Sequence, residues 1–403
     1  MNTQTTLPPI RGCLIAELKL LPKPFYLLIV GTFISRFGHF IIPFLTIYLR
    51  QLGFASSVTG LALAGYGAGG FSACILGGYL ADRIGRKPTL LISCIGATCA
   101  MLLLSIAKTP FTIITGTFLC GLMSNLFYPA STSLVADLVP KDLRLRAYAV
   151  QRFSANLAFA LGMTTAGLVA AHSFHWLFIA DAGTTLILTL IILFGLQRGI
   201  GKKADKLAGW PTALRSIFTN YTFLRAFLAS FLVAIIFWQI SSTFGLQVTE
   251  VSGYSEKVYG YILGLNGIMI VIFELPLTNW TRKFNPQRMM AFGYTLIGGG
   301  LGLLTLGSSL SMLLIAMVIL TIGEMIALPV SSSYVAELAP ENMRGLYMGF
   351  FGFSWSLSIG LGPMIGLAVF SHSPFILWML CGITGLIAAA VILIGTKQPS
   401  HTE

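Results

Sequence analysis

Charge is what this sequence has least of: 9% of its 403 residues are Asp, Glu, Lys or Arg, against roughly a quarter in soluble domains. With 56% apolar residues, a soluble fold would leave far too much hydrocarbon in water, which excludes an ordinary cytosolic or secreted domain. Metal-site and disulfide chemistry is equally thin. The six cysteines, Cys13, Cys74, Cys94, Cys99, Cys120 and Cys381, form no CxxC and have no His at ligand spacing, so they read as buried thiols with no metal and no cofactor implied. HExxH, GxSxG and the phosphate loop GxxxxGK[ST] are all missing, which argues against an enzyme and against ATP drive. Met1 to Lys23 carries no short apolar core ending in a small-residue cleavage site, so a removable signal peptide is not expected.

What is present is a succession of apolar runs from Pro24 to Thr396. Each is long enough to cross a hydrocarbon core roughly 30 Å thick, which calls for helices. The breaks put helices at 25–49, 57–81, 89–107, 109–135, 145–171, 174–196, 222–247, 256–280, 289–307, 309–335, 345–370 and 374–395, and the 43 Gly suit close helix packing in a bilayer. The expected fold is therefore an all-α membrane protein of 12 transmembrane helices. Its one long polar break, 197–221, contains Arg198, Lys202, Lys203, Lys206 and Arg215, dividing a bundle over 1–196 from a second over 222–403. Twenty-one of the 25 Lys and Arg fall on the side that holds both termini and this linker. The positive-inside bias puts that side in the cytoplasm. The net charge of +12 thus has a topological cause, and no nucleic-acid partner is implied.

A shift of 200 residues lays Tyr128-Pro129-Ala130-Ser131-Thr132-Ser133-Leu134-Val135-Ala136-Asp137-Leu138-Val139-Pro140 over Leu328-Pro329-Val330-Ser331-Ser332-Ser333-Tyr334-Val335-Ala336-Glu337-Leu338-Ala339-Pro340. It also sets Arg144 over Arg344, Gly162 over Gly362 and His39 over Gln239. Two parallel copies of a six-helix unit, pseudo-symmetric in the fold, account for this.

Between the second and third expected helices runs Gly77-Gly78-Tyr79-Leu80-Ala81-Asp82-Arg83-Ile84-Gly85-Arg86-Lys87-Pro88. It resembles the major facilitator signature G-x-L-x-D-R-x-G-R-K/R, matched at Gly78, Leu80, Asp82, Arg83, Gly85, Arg86 and Lys87. Gly78 allows close helix contact and Gly85 a tight turn, while Asp82 suits pairing with an Arg or a helix N-terminus. The resemblance implies a conformational latch that favours the outward-open state. The second copy, Leu277 to Arg288, keeps basic residues but has lost the acid and the glycine. In the eleventh expected helix Gly362-Pro363-Met364-Ile365-Gly366 forms a helix-bending run.

Ionisable residues at membrane depth are few: Arg36, His39, Asp181, Glu274 and Glu324. Each costs at least ~2.5 kcal/mol by insertion scales and so demands a reason. By resemblance, helices 1, 4, 7 and 10 line the central cavity, which makes Arg36, His39, Asn125, Trp238, Gln239 and Glu324 candidates to face substrate. Glu324 resembles the acid in helix 10 of drug:proton antiporters, and with Glu274 it is the candidate for proton coupling. Its structural alternative is a neutral acid hydrogen-bonded between helices. Arg36 has two readings, a contact to an anionic substrate or one arm of an interhelical salt bridge, and a lone His39 is more often a packing residue. Asp181 reads as solvated or helix-pairing. Aromatic residues including Phe33, Phe37, Phe40, Phe127, Tyr128, Phe237 and Trp238 suit an adaptable apolar pocket.

Composition, repeat and resemblance lead to a monomeric, multi-pass transporter of a bacterial inner membrane, with small-molecule substrate, protons and lipid as its partners. Proton-coupled efflux of amphipathic or drug-like molecules by alternating access is the expected activity. An exporter of a single metabolite, such as a siderophore, sugar or amino acid, and a facilitator without proton coupling are the alternatives.

Overall fold

The computed structural model describes residues 21–38, 41–140, 143–196, 216–340 and 343–394. His39 and Phe40, the linker as far as residue 215 and the side chains of Gly78, Asp82, Arg144 and Arg344 lie outside the described residues. Among the described residues there is no strand. The helices are α1 (Lys23–Phe37 and Ile41–Gln51), α2 (Ser56–Arg83), α3 (Arg86–Ser105), α4 (Pro110–Leu138), α5 (Arg144–Ala170) and α6 (Phe174–Gly195), then α7 (Tyr221–Val251), α8 (Glu256–Thr281), α9 (Pro286–Gly302), α10 (Leu310–Leu338), α11 (Arg344–His372) and α12 (Pro374–Leu393). Ten of these are long and apolar enough, by length and composition, to cross a membrane; α2 and α9 complete the series in second and ninth place. At 28 residues α2 is long enough to span, and α9 continues as a 3-10 turn over Leu303–Thr305.

Local chemistry sets the helix ends. Thr109 and Thr112 form a reciprocal capping box at the start of α4, and Asn220, Asn285, Ser309 and Ser373 each accept a backbone N–H in the first turns of α7, α9, α10 and α12. Between α2 and α3 the chain turns through Gly85 at φ 98°, a left-handed conformation that a side chain would strain. The 200-residue repeat reappears in these boundaries: α2 and α8 begin at Ser56 and Glu256, α3 and α9 at Arg86 and Pro286, α4 and α10 at Pro110 and Leu310.

Packing repeats as well. In the first half α4 packs on α2 and α3, and α6 on α1 and α3; in the second α10 packs on α8 and α9, and α12 on α7 and α9. Two further pairs, α2 with α11 and α5 with α8, join the halves and are equivalent under the same shift. Glycine makes these junctions close. A Cβ on Gly67 would lie 2.5 Å from the Gly360 nitrogen, and one on Gly260 2.7 Å from the Gly167 Cα, the small-residue approach that replaces hydrophobic driving force between helices in lipid. Large apolar side chains cover the outside of the bundle, among them Phe194 at 82%, Phe111 at 78% and Leu275 at 68% exposure, as a lipid-facing surface requires.

The seventh helix is irregular. It is α-helical to Phe237, turns 3-10 over Trp238–Ser241, and ends as a π-helix over Gln247–Val251. Backbone groups freed at the break find partners: the Ile240 carbonyl accepts from the Tyr259 hydroxyl at 2.8 Å, and Gln239 donates to the Ile235 and Gly362 carbonyls at 3.0 and 2.8 Å. Inside a bilayer such irregularity persists only where protein satisfies the backbone.

Candidate functional site

Glu324 on α10 is half-buried and is held by an amide, since Asn266 of α8 donates from Nδ2 to the Glu324 Oε2 at 2.9 Å and to the Thr321 Oγ1 at 3.0 Å. Thr321 passes its own proton to the Met317 carbonyl at 2.7 Å. Among the described residues no Lys or Arg pairs with Glu324. Two turns further along α8, Glu274 crosses to the other half: Arg152 of α5 forms an ion pair with it, and Asn156, one turn on, donates to its Oε2 at 3.4 Å. Glu274 is 12% exposed and Arg152 54%.

Both acids belong to one junction. A cavity of about 500 Å³ opens between α5, α8 and α10, lined by Arg152, Asn156, Ile270, Glu274, Tyr334 and Glu337 among others. Glu274 lies along the wall of this cavity, while Glu324 and Asn266 are not part of its lining, Asn266 lying one α-helical turn beyond Ile270. Sequence reasoning missed Arg152 as the partner of Glu274, grouping it with the cytoplasmic basic residues. The i, i+4 pair Arg152 and Asn156 on one face of α5 was the available signal.

Arg36 occupies a second cavity, of about 70 Å³, within the first half among α1, α2, α3, α4 and α6. Its side chain is exposed and makes no hydrogen bond or ion pair among the described residues, so the salt-bridge alternative is not realised there. Asn125 lines the same cavity while donating to the Gly121 carbonyl at 2.8 Å. Of the two readings of Asp181, solvated or helix-pairing, burial removes the first: it is 1% exposed, because α6 turns that face inward.

Gln239 and Trp238 line neither cavity. Gln239 is 2% exposed, and its amide is used at both ends, donating to Ile235 and Gly362 and accepting from Ser242 and Thr243. The bending run of α11 meets it there, for a Cβ on Gly366 would overlap the Gln239 side chain and one on Gly362 would lie 2.8 Å from the Ile235 carbonyl oxygen. Pro363 stays within the helix. The Trp238 Nε1 is buried with no partner among the described residues, and its ring meets Phe237, which in turn packs on Trp355.

Of the motif between α2 and α3, Arg83 bonds back to the Tyr79 hydroxyl, and Arg86 is the first residue of α3. Lys87 donates to the Leu193 carbonyl at 2.8 Å and to that of Leu196, capping the C-terminal end of α6 where a cation is favoured. The bonds described for Arg83 and Lys87 stay within the first half. At the opposite end α1 ties the halves to both α7 and α8: Arg50 meets Glu250 of α7 through two contacts of 3.2 and 3.4 Å, Gln51 donates to Glu256 of α8 at 2.7 Å, and Tyr259 of α8 donates to the Pro43 carbonyl at 3.2 Å. Arg50 and Glu250 are themselves related by the 200-residue repeat. With both a third or more exposed, this pair contributes at most ~1 kcal/mol. Arg50→Gln is accordingly expected to leave the melting temperature within about 2 °C while raising the fraction open at that end by no more than roughly fivefold, as spin labels on α1 and α7 would report. A large loss of stability would contradict this.

Comparison with known proteins gives the same architecture. The family model of the Major Facilitator Superfamily matches residues 28–272 and 226–403. A Na(+), Li(+), K(+)/H(+) antiporter of Planococcus maritimus is 26% identical over 371 residues, covering 84% of this chain and 86% of that protein. The multidrug resistance protein MdtH of Edwardsiella ictaluri (strain 93-146) is 24% identical over 384 residues, covering 91% and 92%. The crystal structure of nucleoside transporter NupG superposes with a TM-score of 0.79 at 15% identity, over 92% of this chain and 98% of that one, a likeness of fold.

Proposed function

Because the chain belongs to the major facilitator superfamily and is thereby a multi-pass membrane transporter, we propose that it is a proton-coupled exporter of small amphipathic molecules working by alternating access. The observation that carries this reading is the Glu324 carboxyl on α10, bonded to the neutral Asn266 amide and paired with no Lys or Arg among the described residues. A carboxyl at membrane depth can carry a proton or give it up, which neither an amide nor an Arg can do, and that is the exchange that coupling requires. Glu274, already paired with Arg152, reports the state of the junction: when α5 and α8 part, the pair breaks and its carboxylate meets water. The halves tied at the α1–α7 end and a cavity open between α5, α8 and α10 are what one extreme of a rocking cycle looks like. Relatives named for ion/proton antiport and for multidrug resistance support the same class of activity.

The test is flux in proteoliposomes under an imposed pH gradient, with a panel of amphipathic compounds and, separately, Na⁺ and K⁺. Movement that requires the gradient supports proton coupling; equal movement without it makes the protein a facilitator, and movement of the metal ions alone replaces the organic substrate.

For topology, reporter fusions after Lys397 and within 197–221 are expected to be active only as cytoplasmic fusions, since 21 of 25 basic residues lie on that side. Periplasmic activity from either fusion reverses the orientation, and with it the direction assigned to the cycle.

A further inference from the structure

We propose that the cavity around Arg36 is a seat for an anionic head group, so that the exported molecules are amphipathic carboxylates rather than organic cations. This rests on the reading of the chain as a transporter and specifies its substrate class.

Arg36 is the fourteenth residue of the Lys23–Gln51 span, about 20 Å along it at the helical rise. That puts the guanidinium at mid-membrane, beyond reach of phospholipid headgroups. An arginine cannot relieve its cost there by losing a proton, and it pairs with nothing among the described residues. A permanent cation with no ion-pair partner among the described residues is a standing cost in this setting, and a bound anion is a partner that removes it.

The lining has the chemistry of an anion site. Among the described residues no carboxylate lines the cavity, and the hydroxyls of Ser35 and Ser124 face it with no hydrogen-bond partner. One planar fork and two free hydroxyl donors match the lone pairs of a carboxylate. The size fits as well: a cavity of about 70 Å³ is room enough for a carboxylate head group. An apolar body would extend past Phe127 and Tyr128, which border the cavity, with Tyr128 61% exposed.

The experiment uses two fluorescent probes with the same ring system and opposite charge, N-dansylglycine and dansylcadaverine, on the full-length purified chain. Binding is read by fluorescence for the wild type, Arg36→Lys and Arg36→Gln, with melting temperatures alongside. The wild type is expected to favour dansylglycine, Arg36→Gln to bind it at least tenfold more weakly with dansylcadaverine unchanged, and Arg36→Lys to fall between. Because Arg36 has no partner to orphan, Arg36→Gln should melt no lower than the wild type. Preference for dansylcadaverine, binding of neither probe, or equal binding of dansylglycine by Arg36→Gln overturns the assignment. Flux of dansylglycine under a pH gradient is measured separately. Charge-selective binding without gradient-driven flux upholds the anion seat and rejects proton coupling, whereas gradient-driven flux of dansylcadaverine alone does the reverse.

Discussion

Glu324→Gln is expected to lose at least ~tenfold of the ΔpH-driven flux while keeping substrate binding and melting within roughly 2 °C of the wild type. The Gln side chain has the shape of a protonated Glu, and its Oε1 can accept the same bond from the Asn266 Nδ2, now 2.9 Å long. What it lacks is a proton to release. The melting temperature separates coupling from structure. Removing one member of a buried ion pair typically costs ~3–5 kcal/mol, yet no Lys or Arg pairs with Glu324 among the described residues, so no charge is stranded. Arg152→Gln makes the contrast, because it strips the cation from Glu274, which is 12% exposed; some loss of stability is expected there, moderated by the 54% exposure of Arg152 itself. Full ΔpH-driven flux in a stable Glu324→Gln protein would remove Glu324 from the mechanism and make Glu274 the leading proton carrier.

Gly121→Ala is expected to be among the most damaging single-methyl additions in the chain. Its Cβ would lie 2.0 Å from the Tyr66 carbonyl oxygen and 2.8 Å from the carbonyl carbon, so backbone, not a movable side chain, is in the way. The contact is reciprocal, since a Cβ on Gly69 would meet the Phe118 carbonyl oxygen at 2.1 Å. Helices α2 and α4 must separate to admit the methyl group, at a cost of ~1–3 kcal/mol or more, and Tyr66 and Asn125, which border the Arg36 cavity, separate with them. Gly299→Ala is the control: nothing lies within 4 Å of its Cβ, and alanine is the better helix former by ~1 kcal/mol. Purified Gly121→Ala should melt several degrees lower and be recovered in smaller amount, with Gly299→Ala unchanged or slightly more stable. Equal melting of the two variants would show that the α2–α4 contact is looser than these distances require.

How much was legible follows from how far each signal reaches along the chain. The helix positions were readable because crossing a bilayer needs about twenty apolar residues in a row, a local property; 289–307 was expected and Pro286–Thr305 is found. The repeat was readable because two copies of one unit need the same residues at the same stations, and the paired starts of α4 and α10 at 110 and 310 follow from it. The facing of side chains was not. In lipid both the packed and the exposed side of a helix are apolar, so no amphipathic stripe marks which is which. That is why Asp181 could be read as either solvated or helix-pairing and is buried, and why Gln239 read as a substrate contact although its amide is spent on the break in α7.

The sequence by itself determined the class: an all-α membrane chain, duplicated, with a major facilitator signature and a few expensive charges at membrane depth. It could do so because composition, run length and spacing are encoded within tens of residues. Only the tertiary structure decided the partners, Asn266 for Glu324 across 58 positions, Arg152 for Glu274 across 122 and Glu250 for Arg50 across 200. Those pairings depend on which helix faces the apolar packing of ten or more others permits. A bilayer charges the same steep cost to any unpaired ion wherever it lies in the sequence, so the cost reveals that a partner is needed and leaves its identity to the fold.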